Sequence, residues 1–472
     1  MTPARSHIQL PEVPVLIVGA GPAGLTAAAA LAHHGVDFLL VERRPQLSSL
    51  PRATVISTRS MEIFRSWGLE DEIRAGGADV EFVQWRCWSL ADAASGFGTP
   101  TGFPTRDQCR VISPTGPACV PQDHLEPVLF DHVRSLDVGR LELGVTVAGV
   151  SPHGGGVRVA LRDALGGSTL VDARYLIAAD GAHSTVRSAL GVEMLGSDRL
   201  LGAASVLFRA PLWDVVGDLR YVLYAIGNPQ ADGVLLPAGP NDRWLYGTIG
   251  DVDRITDHEL VERLRIGAGI DALDPRVERT GKFSFAAQIA ATYRADDTFL
   301  IGDAAHRATP RGGTGMNTAI HDGYDLGWKL AWVLNGWAGS DLLDTYEAER
   351  RPVAEHNVSR SADPTGTTRE AGEELQADLG GRLPHVWVRD RVSTLDLLGP
   401  GLTLFTGPDA SPWEREAAGI AADAPVVVRQ LSPITARALG IRTGGALVVR
   451  RDGTPLASLA ARTEAAPLRH AA

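Results

Sequence analysis

Three glycines and one acid near the amino terminus have types and spacing that point to chemistry. Gly19, Gly21 and Gly24 form a G-x-G-x-x-G pattern, and Glu42 follows about 20 residues later. In this pattern the first glycine permits a tight turn, the second lets a pyrophosphate approach the backbone, and the third lets a helix pack on a strand. The helix N–H groups then face the anion, and the acid binds ribose hydroxyls. The spacing predicts dinucleotide binding and leaves open whether the ligand is a flavin or a nicotinamide.

Polar residues also follow an apolar, strand-like run at residues 175–179. Asp180 and Gly181 suit a turn, Ser184 suits a helix cap, and Arg187 adds a cation that would serve phosphates. Taken alone, the segment is equally typical of an ordinary corner between a strand and a helix.

A third apolar run, residues 298–301, ends in Gly302 and Asp303, and a glycine-rich loop at residues 310–317 precedes a long helical stretch. An aspartate at the end of a strand can accept hydrogen bonds from sugar or ribitol hydroxyls. Backbone N–H groups at a helix start can stabilise negative charge on a bound ring.

Particular elements must position these motifs. Residues 15–18, 25–34 and 36–42 predict a strand, a helix and a strand around the first glycine loop. Residues 81–88, 220–224, 233–236 and 244–249 predict strands, most of them in a β-rich insert, and residues 447–453 predict a strand with an Asp-Gly hairpin turn.

The three motifs, in this order, resemble the class A flavoprotein monooxygenases, which are single-component aromatic hydroxylases that use FAD and NAD(P)H. The similarity extends to residues 51–62, 121–126 and 346–352 and so covers nearly the whole chain. Within the class, the chain is most similar to bacterial hydroxylases that modify polyketides and other aromatic natural products.

The resemblance implies which residues bind the cofactor. It assigns the pyrophosphate to the first glycine loop, the adenosine end to the segments around Glu42 and Val147, the ribitol region to Asp303, and the isoalloxazine ring to residues 310–317. The predicted cofactor-binding set is Gly19, Gly21, Pro22, Ala23, Gly24, Glu42, Arg43, Arg52, Gln122, Val147, Asp180, Gly181, Asp303, Pro310, Gly313, Gly315, Met316 and Asn317.

The resemblance also implies the reaction. NAD(P)H reduces FAD, O₂ adds at flavin C4a, and the terminal oxygen of the hydroperoxide passes to an electron-rich aromatic ring. No side-chain nucleophile is needed, and the sequence identifies no base for a phenol. Pro310, Arg311 and Gly313 are the residues expected beside the flavin, with Arg311 at a position that is often small or apolar in the family.

Five aromatic residues are candidates for an aromatic substrate pocket. They are Trp85, Trp88, Tyr221, Tyr224 and Tyr246, all on or beside predicted strands. In the family such strands form a sheet over the flavin, with the substrate between them. A place in the core of the sheet is an equally good interpretation for each of the five. His183 and His306 lie in motif turns, where a structural role is favoured.

The resulting expectation is an α/β chain with a Rossmann-like FAD domain of the glutathione-reductase type, an inserted β-sheet substrate domain and a carboxy-terminal thioredoxin-like domain. The FAD domain is assigned residues 1–75, 116–190 and 293–360, the substrate domain residues 76–115 and 191–292. A linker is assigned residues 361–383 and the thioredoxin-like domain residues 384–472, which contain no cysteine.

Composition excludes several classes of protein. The 472 residues carry 45 Lys plus Arg and 56 Asp plus Glu, so the net charge of −11 offers no footprint for a nucleic acid. Cys87, Cys109 and Cys119 form neither a disulfide framework nor a metal-binding or redox Cys-x-x-Cys pair. No membrane partner and no metal is expected, the cytoplasm is the expected compartment, and a monomer or homodimer is the expected state.

Other functions fit the same motifs. Baeyer–Villiger oxidation or epoxidation needs the same FAD scaffold, and a flavin-binding module without turnover would retain every FAD motif. Flavin halogenation is disfavoured because the G-W-x-W-x-I-P signature is missing.

Overall fold

A computed structural model of the chain describes residues 8–9, 12–363, 371–421 and 423–459. Strands and helices are numbered in chain order. The strands are β1 (Ile8–Gln9), β2 (Val13–Val18), β3 (Phe38–Glu42), β4 (Glu81–Cys87), β5 (Phe97–Pro100), β6 (Arg140–Leu143), β7 (Thr146–His153), β8 (Gly156–Arg162), β9 (Ser168–Ala178), β10 (Met194–Arg209), β11 (Tyr221–Ile226), β12 (Gly233–Pro237), β13 (Arg243–Gly250), β14 (Arg276–Ala290), β15 (Arg294–Ala295), β16 (Thr298–Leu300), β17 (His306–Arg307), β18 (Trp387–Arg389), β19 (Val392–Ser393), β20 (Leu402–Thr406), β21 (Val426–Gln430), β22 (Ala446–Val449) and β23 (Pro455–Leu459).

The helices are α1 (Pro22–Ala32), α2 (Thr58–Ser66), α3 (Glu70–Ala75), α4 (Arg106–Ile112), α5 (Gln122–Ser135), α6 (Thr185–Ala189), α7 (Leu212–Val216), α8 (Asp257–Ala268), α9 (Gly315–Leu334), α10 (Thr345–Ala362), α11 (Ala371–Leu379), α12 (Ser411–Glu416) and α13 (Pro433–Ala438). No helix in the described ranges combines the length and the apolar character that a membrane span requires.

A nine-stranded sheet carries the first glycine loop. Its central path runs β15-β16-β9-β2-β3-β6, and the neighbours from β16 to β6 are parallel. β2 and β3 are almost continuous apolar runs, as is typical of parallel strands that are buried on both faces. α1 and α9 pack so closely that a Cβ on Gly323 in α9 would collide with the carbonyl oxygen of Ala23 in α1. The backbones of the two helices are therefore in direct contact.

An eight-stranded, largely antiparallel sheet forms the second layer, in the order β17-β14-β10-β13-β12-β11-β4-β5. Its strands come from residues 81–100, 194–290 and 306–307, so the two sheets alternate along the chain. α7 and α8 contribute Leu212, Leu260 and Leu264 to the apolar core on one face of this sheet. The other face is turned toward the nine-stranded sheet.

The carboxy-terminal unit holds a four-stranded mixed sheet in the order β21-β20-β22-β23. β20 is parallel to β21 and antiparallel to β22, which is antiparallel to β23. The predicted hairpin turn lies between β22 and β23, where Gly453 has a φ of +90°. Two ion pairs fasten this unit and its approach to the rest of the chain: Arg450 binds Glu349 at 2.8 Å, and Arg382 binds Glu62 at 2.5 Å.

The segment predicted to be a linker, residues 361–383, contains a helix in the part that the structure describes. Residues 371–379 form α11, which packs on α2. The contact is specific, since the Asp378 carboxylate accepts a hydrogen bond from the backbone N–H of Arg59 in the first turn of α2 at 3.1 Å. The polar residues of α11 are therefore folded, because at least one of them, Asp378, forms a hydrogen bond with the backbone of α2.

Candidate active site

The first glycine loop joins β2 to α1 with the strand–turn–helix–strand order that the spacing predicts. Gly19 has a φ of +112°, and a Cβ there would collide with the Ala179 carbonyl. A Cβ on Gly24 would collide with the Gly19 carbonyl, whereas a Cβ on Gly21 would meet no protein atom within 4 Å. Two glycines are thus required by close packing, while the second leaves space beside the start of α1. That space and the uncapped N–H groups of α1 fit a pyrophosphate.

Glu42 lies at the end of β3 and is hydrogen-bonded to the first glycine loop. Its carboxylate accepts the N–H of Ala20 at 3.0 Å and the N–H of Arg44 at 2.9 Å. Arg43 is exposed beside it, and Val147 packs at the edge of the main core. Glu42 therefore lies beside the glycine loop with its carboxylate oxygens fixed in position.

The segment after β9 forms a capped turn. One oxygen of Asp180 accepts the N–H groups of Thr185 and Val186 at 2.7 and 3.1 Å, and Ser184 accepts the N–H of Arg187 at 2.9 Å. Gly181 has a φ of +83°, which favours glycine. Ser184 caps α6 as the sequence indicates.

Arg187 does not supply a cation to phosphates. Its side chain is buried and donates to the carbonyl oxygens of Ala182 and Ala304, each at 3.0 Å. It therefore ties the turn after β9 to the turn that contains Asp303. Desolvation of the guanidinium lowers its pKa, while the neighbouring Asp180 opposes that shift.

Asp303 lies in the turn that joins β16 of the nine-stranded sheet to β17 of the eight-stranded sheet. We call the space between these two sheets the cleft. The Asp303 carboxylate opens into the cleft, but the surrounding protein desolvates it and raises its pKa against the opposing charges of His306, Arg52 and Arg307. Asp322, on α9, is fully partnered instead. It accepts His306 at 2.6 Å and Arg350 at 2.9 Å, which together hold its pKa at about 2 despite burial. His306 is thus structural, and Asp303 is free to bind a ligand hydroxyl.

The loop before α9 presents backbone toward the cleft. Gly312 and Gly313 have φ values of +86° and +64°, and α9 begins at Gly315 without a side-chain cap. Asn317 uses its side chain for the protein: it accepts from Ser57 at 2.8 Å and donates to the carbonyl of Gly313 at 2.8 Å. Its amide positions the loop. The N–H of Gly313 donates to the Pro310 carbonyl at 3.1 Å, and the start of α9 has no side-chain cap, so the N–H groups of the first turn of α9 are the donors that a ligand could use.

The other residues predicted around the flavin occupy three settings. Pro310 and Arg52 are exposed in the cleft, and Met316 packs partly on the main core. Gln122 is buried and donates to Glu126 at 2.7 Å, and desolvation raises the pKa of that glutamate. Arg311 interacts with the Asp363 carbonyl at 3.5 Å.

Sequence reasoning missed a small pocket beside this loop. Its walls come from five separate parts of the chain, including Ser57, Phe103, Thr314, His321, Asn357 and Asp378. Asp378 lies 3.8 Å from the His321 ring nitrogen, and burial raises the pKa of this carboxyl to about 6. Burial and nearby arginines hold the pKa of His321 well below its usual range. Only tertiary contacts bring these residues together, so the sequence carries no local signal for the pair.

Four of the five aromatic residues predicted to line a substrate pocket, Trp85, Tyr221, Tyr224 and Tyr246, pack in or against the core between the eight-stranded sheet and its helices. Tyr224 and Tyr246 are fully buried in the core between the eight-stranded sheet and its helices. Trp85 and Tyr221 stack on each other at the edge of that core, with ring centroids 4.4 Å apart, and Trp88 is 58% exposed. Burial also raises the pKa of Tyr246 to about 12. The prediction is therefore wrong for Trp85, Tyr221, Tyr224 and Tyr246, whose side chains occupy the helix-covered face, and it stays a prediction for Trp88.

The opposite face of the same strands is turned toward the cleft. Leu223 packs in a small cluster with Phe103. The Phe103 ring would lie 3.6 Å from a Cβ on Gly313, in the glycine-rich loop at residues 310–317, which we call the flavin loop. Arg243 on β13 binds Asp123 on α5 at 2.9 Å. Both contacts cross from the sheet to the cofactor side, so this face forms one wall of the cleft.

Cross-strand register divides the wall into rows. Leu223, Leu236 and Leu245 form an inner row of half-buried leucines. A second row lies four residues further along β13, where Ile249 is beside Ala203 on β10 and Ala203 is beside Phe283 on β14. Between the two lies a floor of small side chains, namely Ala225, Val234, Gly247, Ser205 and Gly281. Four residues of strand separate the rows by about 13 Å. The floor residues form one cross-strand ladder, which reaches Arg86 on β4.

Comparison with known proteins gives a consistent result. Residues 12–361 match the family model described as an FAD binding domain. The chain is 34% identical to tetracenomycin A2 monooxygenase-dioxygenase of Streptomyces glaucescens, over 94% of this chain and 92% of that protein. It is 30% identical to 2,4-dichlorophenol 6-monooxygenase of Cupriavidus pinatubonensis, over 93% and 92%. The structure of aklavinone-11 hydroxylase with FAD and aklavinone superposes with a TM-score of 0.86 at 30% identity, over 98% and 97% of the two chains.

Proposed function

We propose that this chain, which belongs to the family of FAD-binding flavoprotein monooxygenases, hydroxylates a phenolic or polycyclic aromatic compound with NAD(P)H as reductant. The chain is an FAD-dependent monooxygenase, as its family and its relatives indicate. The observation that supports this substrate class is the apolar wall of small residues opposite the flavin loop. The relatives named for aromatic or polyketide compounds match this chain over more than 90% of their own length.

The cofactor residues predicted from the sequence form one continuous path along the cleft. Gly21 and the start of α1 would hold the pyrophosphate, Glu42 the ribose and Asp303 the ribitol hydroxyls. The fit rests on the space beside Gly21, the uncapped N–H groups of α1 and the ligand-facing carboxylate of Asp303. Bound FAD supplies the activation of O₂ after reduction by NAD(P)H.

The protein contributes position, charge and exclusion of water. N–H groups at the start of α9 face the position of the ring and stabilise negative charge there. The leucine row and the small-residue floor orient a flat substrate against it. The enclosing sheet excludes water from the reacting oxygen.

The domain assignment is part of the same proposal. The parallel path β16-β9-β2-β3 with the glycine loop supports a Rossmann-like FAD domain, and the alternation of the two sheets along the chain supports an inserted substrate domain. The four-stranded order β21-β20-β22-β23 supports a thioredoxin-like unit. Residues 384–472 contain no cysteine, so this unit serves packing rather than thiol chemistry.

The experiment is a reduction assay on the purified, FAD-loaded protein. We expect a yellow protein that NADPH or NADH bleaches, faster when an aromatic compound such as aklavinone or 2,4-dichlorophenol is present. Labelled O₂ should place one labelled oxygen on an aromatic carbon. Oxygen inserted beside a ketone would indicate Baeyer–Villiger chemistry, and a protein that binds FAD without any aromatic stimulation would contradict the proposed hydroxylation.

A further inference from the structure

Two histidines meet where two packed helices end. His33 is the carboxy-terminal cap of α1, His132 lies in the last turn of α5, and the two helices pack against each other. The Nε2 atoms of the two imidazole rings are 3.0 Å apart. The residues are 99 positions apart in the chain, so no local spacing in the sequence indicates the pair. It lies at the end of α1 opposite the first glycine loop, about 16 Å away along the helix.

The indole of Trp67 orients both imidazole rings. Its ring centroid is 5.3 Å from that of His33 with an interplanar angle of 16°, and 6.1 Å from that of His132 with an angle of 20°. Trp67 is buried, so this platform is part of the protein core. The imidazole centroids are 5.2 Å apart, farther than the two Nε2 atoms. The Nε2 edges of the rings therefore face each other.

Both rings are in the form that binds metal ions. Desolvation, with the neighbouring His132 as a further cause, lowers the pKa of His33 to about 4, and desolvation also lowers the pKa of His132. Near neutral pH both imidazoles are therefore uncharged. One neutral ring can donate its Nε2–H to the lone pair of the other, which is the contact observed. Neutral imidazole is also the metal-ligating form of histidine.

The distance between the two nitrogens matches that of two ligands on one metal ion. With metal–nitrogen bonds of about 2.0–2.1 Å, two such ligands lie about 2.9 Å apart at a right angle and about 3.3 Å apart at the tetrahedral angle. The observed 3.0 Å lies between these values. A metal ion would replace the shared proton, and each ring would tilt on the indole to direct its lone pair at the ion.

The charges around the pair are mixed. The carboxyl end of a helix carries partial negative charge, which favours a cation in the last turn, and both histidines occupy such ends. Glu72 acts on His132 in the same direction, whereas Arg451 and His34 act on His33 as positive charges. An ion that binds here must therefore gain mainly from the imidazole lone pairs, which favours transition metals over Ca²⁺ or Mg²⁺.

We propose that His33 and His132 form a binding site for one divalent transition-metal ion of the Cu²⁺, Ni²⁺ or Zn²⁺ class. In the described part of the chain, no third His, Cys, Asp or Glu joins the pair within metal-ligand distance, so water completes the coordination. The bound ion links α1 to α5 at the ends that lie away from the cofactor path. This site is separate from the cleft and does not depend on the proposed hydroxylase function.

The test measures Zn²⁺ binding to the full-length, FAD-loaded protein by calorimetry near neutral pH. The variants are His33→Asn, His132→Gln and the two combined, and the control is His258→Asn. His258 is an exposed histidine on α8 with a carboxylate oxygen of Glu262 at 3.9 Å, so it represents an ordinary surface imidazole beside an acid. We expect either single change to raise the Kd for Zn²⁺ about 10-fold or more, because one imidazole cannot chelate the ion. The double variant should bind no more weakly than the single variants, and the control should change the Kd by less than about 2-fold.

Two further measurements separate loss of the site from loss of the fold. Electron paramagnetic resonance of bound Cu²⁺ should show two nitrogen ligands in the wild type and one in either single variant. Zn²⁺ should raise the Tm of the wild type and leave that of the variants unchanged, because only the wild type has an ion linking two helices. FAD content should be the same in every protein.

Four results would overturn the proposal. They are an unchanged Kd for Zn²⁺ in both single variants, additive losses in the double variant, an equal loss in the His258 control, and a wild-type Cu²⁺ spectrum with fewer than two nitrogen ligands. The last of these needs no variant, so a substitution that fails to fold cannot conceal it. No substrate or turnover enters these measurements, so failure of the proposed hydroxylation would leave the result standing.

Discussion

The two faces of the eight-stranded sheet are built from the same strands and serve different ends. On one face Trp244, Tyr246 and Tyr224 are completely buried under helices, and the two tyrosine hydroxyls donate to backbone carbonyls. On the other face Leu245 and Gly247 are only half-buried, although each is the chain neighbour of a buried aromatic. The two faces show that side chains covered by helices support the fold, while side chains that the protein leaves uncovered are available to ligands.

The largest expected effect tests the covered face. Trp244→Ala should lower the free energy of unfolding by about 3–5 kcal/mol, because it leaves a large cavity in a fully packed core. Leu245→Ala, one residue along and on the cleft face, should lower it by under about 1.5 kcal/mol, because its side chain is half exposed. Urea denaturation measures both. Equal losses from the two variants would break the distinction between the faces.

Two aspartates extend the comparison to charge. Asp322→Asn should destabilise the fold by about 3 kcal/mol, because His306 and Arg350 lose their buried anionic partner. Asp303→Asn should leave the fold intact and raise the Kd for FAD about 10-fold, because its carboxylate faces the cleft. Urea denaturation and a flavin fluorescence titration report the two quantities. Unfolding of the Asp303 variant would show that this carboxylate is structural.

The floor of the cleft offers a sharper case. Gly247→Val should raise the Kd for aromatic ligands about 10-fold, since the added side chain projects into the space a flat ring would use. A Cβ there is 3.6 Å from its neighbours, so the unfolding free energy should change by less than about 1 kcal/mol. FAD content serves as the control. A loss of FAD with unchanged ligand binding would contradict the assignment of this face.

The smallest effect concerns pH. The pKa of Asp378 is about 6 in the folded chain, above the value of about 3.9 for an exposed aspartate. Between those values the folded state keeps a proton that the unfolded state has released, so this group makes the unfolding free energy fall as the pH rises from about 4 to 6. Asp378→Asn should remove that slope. Denaturation at a series of pH values measures this slope. Identical slopes in both proteins would show that the Asp378 carboxyl does not contribute to the pH dependence of unfolding in this range.

Much of the cofactor site follows from local sequence. Glycine spacing with a strand on either side fixes a turn whose geometry depends on few distant contacts, so the roles of Gly19 and Gly24 in packing were predictable. The resemblance to flavoprotein monooxygenases is confirmed by the family match and by the relatives. The alternation along β13 also indicates two faces, with aromatic and small or aliphatic residues in turn.

The sequence could not show which face of the eight-stranded sheet is turned toward the cofactor side. Aromatic residues suggest ligand binding as readily as core, and only the helices packed over Tyr246 decide the question. Arg187 was similarly misassigned, because its carbonyl partner Ala304 lies far along the chain. Asp378 escaped notice because the burial that raises its pKa exists only once α11 has packed on distant parts of the chain.

The alternation of the two sheets along the chain has a consequence for synthesis. β2 pairs with β9, and β9 pairs with β16, which the ribosome reaches only after residue 298. At about 5–20 residues per second, the amino-terminal strand waits on the order of 10–60 s for its sheet to be completed. Asp303 emerges later still, so the nascent chain passes through a period in which unpaired apolar strands precede any cofactor. This order of strands predicts that the parallel sheet is completed only late in synthesis.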